Sequence, residues 1–175
     1  RDLLSSLETV DLSQFGQIAN QTGEVTINAN LPADTATAAT VVTNITIYDS
    51  QGFDYLLRTT WTKSAAANTW TYDYTLVRNP GTINASSMSL GGAARTMVFN
   101  PDGSLNAVNT GVAGTTNATA TETLTVSSGE FSRSVALNTI TLNWGTFGQP
   151  TGMSQFNGNF ETSLLNQDGS GPSAL

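Results

Sequence analysis

The stretch Val41-Val42-Thr43-Asn44-Ile45-Thr46-Ile47-Tyr48-Asp49-Ser50-Gln51-Gly52 decides the fold. Val41, Thr43, Ile45 and Ile47 fall on one side of an extended chain and Val42, Asn44, Thr46 and Tyr48 on the other, the period of two that marks a half-buried strand. Asp49 to Gly52 suits a tight reversal, because an Asp side chain bonds the turn backbone and Gly takes positive φ without a Cβ clash. Beyond it Tyr55, Leu57, Thr59 and Trp61 alternate with Leu56, Arg58, Thr60 and Thr62. Past the loop Lys63 to Thr69, Trp70, Tyr72, Tyr74 and Leu76 alternate with Thr71, Asp73, Thr75 and Val77. Three such runs joined by short turns predict an antiparallel meander whose aromatic side chains fill one face.

Weaker signals flank the meander. Upstream, Val25, Ile27 and Ala29 alternate with Thr26, Asn28 and Asn30, a strand that stops at Leu31-Pro32. Ala33 to Thr40 has neither bulk nor period and reads as a linker. The opening Asp2 to Glu8, with leucines three and four apart, reads as irregular or briefly helical. Downstream, Met97-Val98-Phe99 runs into Asn100-Pro101-Asp102-Gly103 and out through Leu105, a small hairpin. Asn109 to Thr123 reads as a surface loop, Leu124 with Val126 and Val135 with Leu137 as weak strands, and Ile140, Leu142 and Trp144 as a clearer one. Gly145 to Gly152 breaks the pattern before Phe156 and Phe160, and Gln167 to Pro172 is turn chemistry. The reading is all-β: an antiparallel β-sandwich or flattened barrel, inserted into part of a second β domain.

Composition narrows the chemistry. The 175 residues suffice for one compact core, and no apolar run approaches the ~20 residues that cross a bilayer, so no membrane partner is expected. Thirteen acids against six bases give a net charge of −7, a field that repels phosphate backbones and disfavours nucleic acid. Histidine and cysteine are absent, which removes the usual general base, the Ser/His/Asp and Cys/His nucleophile pairs, disulfides, and zinc or haem ligation. Thr, Ser and Asn make up roughly a third of the chain while only 11% is charged, against ~25% in typical soluble domains. Such a surface is polar but weakly charged. The first residue is Arg1, with no charged-then-apolar leader after it, and the sequence reads as a fragment or a processed chain whose export signal lies outside it.

Each candidate site has a simpler reading. Asp73, with Asp49 and Asp54 near the preceding turn, supplies the carboxylates a glycosidase needs, but the strand period puts Asp73 on the solvent face. Lys63-Ser64 contains the sole lysine, yet adjacent loop residues rarely face each other as a nucleophile pair. Asn100-Pro101-Asp102-Gly103 resembles part of a calcium loop, but Leu105 and Ala107 stand where ligands are needed, so a plain β-turn is expected. Trp61, Trp70, Tyr72 and Tyr74 form either core packing or a sugar-stacking platform. Asn-x-Ser/Thr sequences at Asn20, Asn44, Asn84 and Asn117 are expected by chance in this composition. No catalytic, cofactor-binding or metal residue is assigned, no cofactor is expected, and the chain is read as no enzyme.

The run Ile45-Thr46-Ile47-Tyr48-Asp49-Ser50-Gln51-Gly52, followed by Leu57 to Lys63 and Asn68-Thr69-Trp70, resembles the bacterial flagellar hook proteins, whose middle region carries a TVYDSxG, FxK, NxW pattern. Asn28-Ala29-Asn30-Leu31-Pro32-Ala33-Asp34 is similar to the stretch before that pattern. Val98-Phe99-Asn100-Pro101-Asp102-Gly103-Ser104-Leu105 is similar to the family's FNxxGxL hairpin, and Gln167-Asp168-Gly169 to its QDG exit. The pieces keep their order across nearly the whole chain. Departures are Phe53-Asp54-Tyr55 after the turn glycine and Gly171-Pro172-Ser173 at the exit, which leave hook and related rod proteins unseparated.

The resemblance implies a structural subunit fragment of the flagellar hook, the flexible universal joint between rod and filament, lacking the family's terminal helices. It implies an outer β domain over 34–166, with 1–33 and 167–175 belonging to the next domain inward. Partners would be other copies of the chain in a helical polymer, and through the intact protein the hook cap, the rod and the hook–filament junction proteins, with the fragment alone monomeric. Location would be the extracellular hook, reached through the flagellar secretion apparatus. The alternative is a secreted carbohydrate-binding β-sandwich module using the Trp/Tyr face. Exposure separates the two, since Trp61, Trp70 and Tyr72 are buried in the first and solvent-facing in the second.

Overall fold

The computed structural model describes residues 18–77, 82–83, 95–110, 116–126 and 139–173. The central meander is β3 (Thr40–Tyr48), β4 (Asp54–Lys63) and β5 (Thr69–Val77), antiparallel and in register from Thr40 opposite Thr62 to Tyr48 opposite Asp54. Period-two burial holds along all three: Thr43, Ile45, Ile47, Tyr55, Leu57, Thr59, Trp61, Trp70, Tyr72, Tyr74 and Leu76 point inward. β7 (Arg95–Phe99) and β8 (Leu105–Asn109) extend this sheet to the order β3-β4-β5-β7-β8, and the short β6 (Thr82–Ile83) pairs with β5.

A second sheet covers the first. Its order is β11-β2-β10-β9, from β2 (Glu24–Asn30), β9 (Thr121–Thr125), β10 (Thr139–Asn143) and β11 (Glu161–Gln167). β2 and β10 run parallel, whereas the remaining pairs in it are antiparallel. Val25, Ile27 and Ala29 from β2, Leu124 from β9 and Ile140 and Leu142 from β10 face the meander's aromatics in one continuous core. Trp61 sits at its centre, 5.1 Å from the Tyr72 ring and 5.5 Å edge-on to Trp144, geometries that stabilise ring pairs beyond the area they bury. The all-β sandwich reading thus holds, with one parallel pair inside it.

A two-stranded ribbon completes the described structure: β1 (Ile18–Asn20) runs antiparallel to β12 (Ser170–Ser173), with Ile18 opposite Ser173. The chain therefore enters and leaves the sandwich at adjacent positions. The ribbon leans on the β3–β4 turn, because the Thr22 N–H donates to the Tyr48 carbonyl at 3.0 Å and the Tyr48 N–H donates to Thr22 Oγ1 at 2.9 Å. Gly52, at φ +80°, faces Pro172 and Ala19 so closely that a Cβ there would stand 2.6 Å from Pro172 Cδ.

Both expected turns form. At Asp49 to Gly52 the Gly52 N–H closes on the Asp49 carbonyl at 3.0 Å, and at Asn100 to Gly103 the Gly103 N–H closes on the Asn100 carbonyl at 2.9 Å. Three expectations need correction. The loop read over Asn109 to Thr123 ends in strand, since Thr121 to Thr123 belong to β9, whose inward positions include Glu122, a residue type that normally marks a surface. Lys63 is the last residue of β4 and buried, not a loop residue, because its aliphatic stem lies in the inward phase of the strand. The stretch Gln167 to Pro172 read as turn chemistry turns only at 168–169 and then enters β12; β11 before it is an edge strand exposed along most of its length, so no alternation announced it. The expectations for Asp2 to Glu8 and for Val135 with Leu137 fall outside the described residues.

Candidate functional site

The most ionised neighbourhood in the interior is one that residue patterns alone did not single out. Glu122 is 2% exposed and bridges the two sheets. Its Oε2 accepts the hydroxyls of Tyr72 at 2.9 Å and Tyr74 at 2.7 Å, and its Oε1 accepts Arg95 Nε–H at 3.0 Å. Arg95 reaches onward to the solvent-exposed Asp73 at 3.2 Å and lies 5.1 Å from the centre of the Tyr74 ring. Burial pushes the Glu122 carboxyl above the usual Glu range, opposed by the Tyr74 hydrogen bond and the Arg95 charge. Burial beside that carboxylate likewise holds both phenols well above the ordinary Tyr value. A signal was present: Glu122 shares the inward phase of Leu124 and Val126. The arrangement clamps sheet to sheet. It offers no nucleophile and no second carboxylate facing a common substrate.

The candidate residues read from the sequence do not converge. Asp54 lies opposite Tyr48 and Asp73 opposite Thr60, six strand residues apart along β4, about 20 Å at ~3.3 Å per residue and far beyond a glycosidase pair. Asp49 is buried in its turn, where Oδ1 accepts the N–H groups of Gln51 at 2.8 Å and Phe53 at 3.0 Å, and Oδ2 accepts the Tyr55 hydroxyl at 2.9 Å. Lys63 Nζ stands 5.5 Å from the centre of the Trp70 ring, its pKa lowered by burial, while Ser64 Oγ accepts the Ala66 N–H. Asp102 Oδ1 is taken by the Ser104 N–H at 2.9 Å and hydroxyl at 2.6 Å, which hold its carboxyl below the usual range. No group of three or more acidic, His or Cys side chains suited to a metal occurs among the described residues. Asn20 and Asn44 are exposed and Asn117 lies among hydrogen bonds to Thr110 and Thr121, whereas Asn84 falls outside the described residues.

The Trp/Tyr face is core. Trp61 and Trp70 are 0% exposed and Tyr72 4%, so these side chains present no platform to solvent and the carbohydrate-binding alternative loses the surface on which it rested.

What the sandwich does present is hydroxyls and amides in register. On the outer face of the meander sheet one row runs Thr40, Thr62, Thr71, Thr96 and Asn109 across five strands, and the next but one runs Asn44, Arg58 and Thr75. On the opposite outer face Asn166, Thr26, Asn143 and Thr121 form one row, and Glu24, Thr141 and Thr123 another. Beside them a cleft of about 330 Å³ opens between β2, β11 and the loop before Ser154, lined by Asn28, Asn30, Glu161 and Ser163 among others. Threonine and asparagine side chains thus line two oppositely directed outer faces, placed there by strand alternation.

No curated protein matches the chain. Among solved structures the chain is similar to the 32 kDa fragment of the flagellar hook protein FlgE from Caulobacter crescentus, with 14% identity and a TM-score of 0.49 over 73% of this chain. That match spans 46% of the fragment, under two thirds of its length. The family of the flagellar basal body protein FlaE D2 domain matches residues 18–170, from the first described strand into the last. This all-β chain is therefore a member of the flagellar basal body protein FlaE D2 domain family.

Proposed function

We propose that the chain is part of a structural subunit of the bacterial flagellar hook, the flexible universal joint between rod and filament. The observation that carries the reading is the family match over 18–170, and the two hydroxyl-rich faces support it. A bending, rotating tube requires each subunit to let its neighbours approach and recede once per turn. Small polar contacts, each exchanging with water at little cost, allow this, whereas an apolar interface would hold one spacing. Copies meeting through different surfaces build an open helix when the rotation between them does not close into a ring. Through the intact protein such a subunit would also meet the hook cap, the rod and the hook–filament junction proteins, outside the cell after passage through the flagellar secretion apparatus. The chain alone stays monomeric.

On the same reading 34–166 is the outward portion of the subunit, while 1–33 and 167–175 lead to the next domain inward. The β1/β12 ribbon supports that direction of travel, since it brings entry and exit together; β2, from the 1–33 segment, packs against residues of 34–166. The experiment is electron microscopy of cells whose full-length parent protein carries a small tag within Gly111 to Thr116. Label on a short curved segment between cell body and filament is expected. Label spread over the envelope or medium, with flagella unmarked, overturns the reading.

A further inference from the structure

Arg58 is exposed on the meander face, whereas Lys63 and Arg95 are buried, so among the described residues it is the one exposed cation in a chain of net charge −7. Asn44 Oδ1 accepts its Nε–H at 3.2 Å, and no hydrogen bond or ion pair among the described residues engages its terminal nitrogens. Glu161 is exposed on the other sheet and lines the 330 Å³ cleft with the amides of Asn28 and Asn30 and the hydroxyl of Ser163. Among the described residues no hydrogen bond or ion pair engages the Glu161 carboxylate. A cation on one face and an acidic, acceptor-lined cleft on the opposite face are complementary, and they cannot meet within one copy because the core lies between them.

We propose that Arg58 of one copy enters the Glu161 cleft of the next, an inference that rests on the hook reading and names the self-contact it requires. The occupant is a second copy of this chain. A guanidinium presents a planar fork that matches a carboxylate, and the Asn28 amide and the Ser163 hydroxyl supply acceptor oxygens beside it, whereas the Asn30 amide is held by Phe156 and Asn159. The two partners lie on different, opposed surfaces, so the contact is head-to-tail, the type that propagates as an open helix wherever its rotation does not close into a ring. Copies of like net charge repel, and one opposite-charge contact between weakly charged faces selects where they touch. The pair stays exposed at the rim, hence salt-screened and breakable, as a moving joint requires.

The test uses the full-length protein assembled into hooks. Arg58→Glu and Glu161→Arg should each lower the sedimentable polymer about fivefold, the upper range for an exposed pair, and the doubly exchanged protein should return to within about twofold of the original. Circular dichroism of each variant establishes that it folds. As an independent measurement, Arg58→Cys with Glu161→Cys in a cysteine-free background is treated with a bismaleimide about as long as the Arg–Glu pair. A ladder of linked subunits is expected, with none from Asp34→Cys paired with Arg58→Cys. Intact hooks with unaffected single variants and no ladder overturn this contact and leave the hook reading standing. Loss of polymer in both single variants without recovery in the exchanged protein also overturns it. A chain absent from hooks altogether removes the reading on which the contact rests.

Discussion

Arg95 on β7 donates its Nε–H to the Glu122 carboxylate on β9 at 3.0 Å, joining the two sheets by their one buried ion pair among the described residues. The pair is 9% and 0% exposed at its side chains, and two tyrosine hydroxyls complete the carboxylate's coordination. Desolvating both charges is costly, so the pair is weak ground for net stability; removing one partner is another matter, because a buried charge is then left without its counterpart.

Arg95→Ala and Glu122→Ala should each destabilise the chain by about 3 to 5 kcal/mol, and a double substitution to well-packed apolar residues by less than either. Urea unfolding of the three variants checks the order.

Acid should affect Glu122 in the direction opposite to an ordinary salt bridge. Burial raises its folded pKa above 4.5, so the folded chain holds that proton more tightly than the unfolded one. Its contribution is fully present below 4.5 and is lost as pH rises through the folded value. Relative to Glu122→Gln, the unmodified chain should therefore gain stability as pH falls across that window. A difference that grows in the other direction shows that the Arg95 attraction outweighs burial.

Alkali should unfold the chain through Tyr72 and Tyr74. Both phenols are held above 10.0 in the fold by burial next to Glu122, so the stability they add is complete below 10.0 and declines as pH rises above it, where only the unfolded chain ionises freely. The share of tyrosinate absorbance that Tyr72→Phe with Tyr74→Phe removes should rise with unfolding, not before it, and the same pair of substitutions should remove part of the pH dependence.

The turn ahead of β4 should be intolerant of side chains. Gly52→Ala meets positive φ and a Cβ site 2.6 Å from Pro172 Cδ, and the expected loss exceeds ~1 kcal/mol, with the β1/β12 ribbon loosened first. Amide exchange at Ala19 and Asn20 faster than in the original chain checks this.

Trp61→Ala should cost about 3 to 5 kcal/mol, since it empties the centre of the core against Tyr72 and Trp144. All three tryptophans are buried, so native fluorescence should be blue-shifted and resist acrylamide until unfolding.

The sequence by itself determined the meander, its two turns, the inward and outward faces of β2 to β5, and the buried aromatics, because alternation is a local property that each strand carries along its own length. The segments 45–52, 98–105 and 167–169 carried the family resemblance as well. Only the tertiary structure decided the rest. β11 is exposed on most of its length and β1 and β12 are short, so their pairing depends on partners over 130 residues away and leaves no period to read. Glu122 looked like loop because its polarity outweighs its phase until Tyr72, Tyr74 and Arg95 arrive from other strands to satisfy it. The opposed placement of Arg58 and Glu161 likewise follows from which sheet each strand joins, a non-local choice set by core packing.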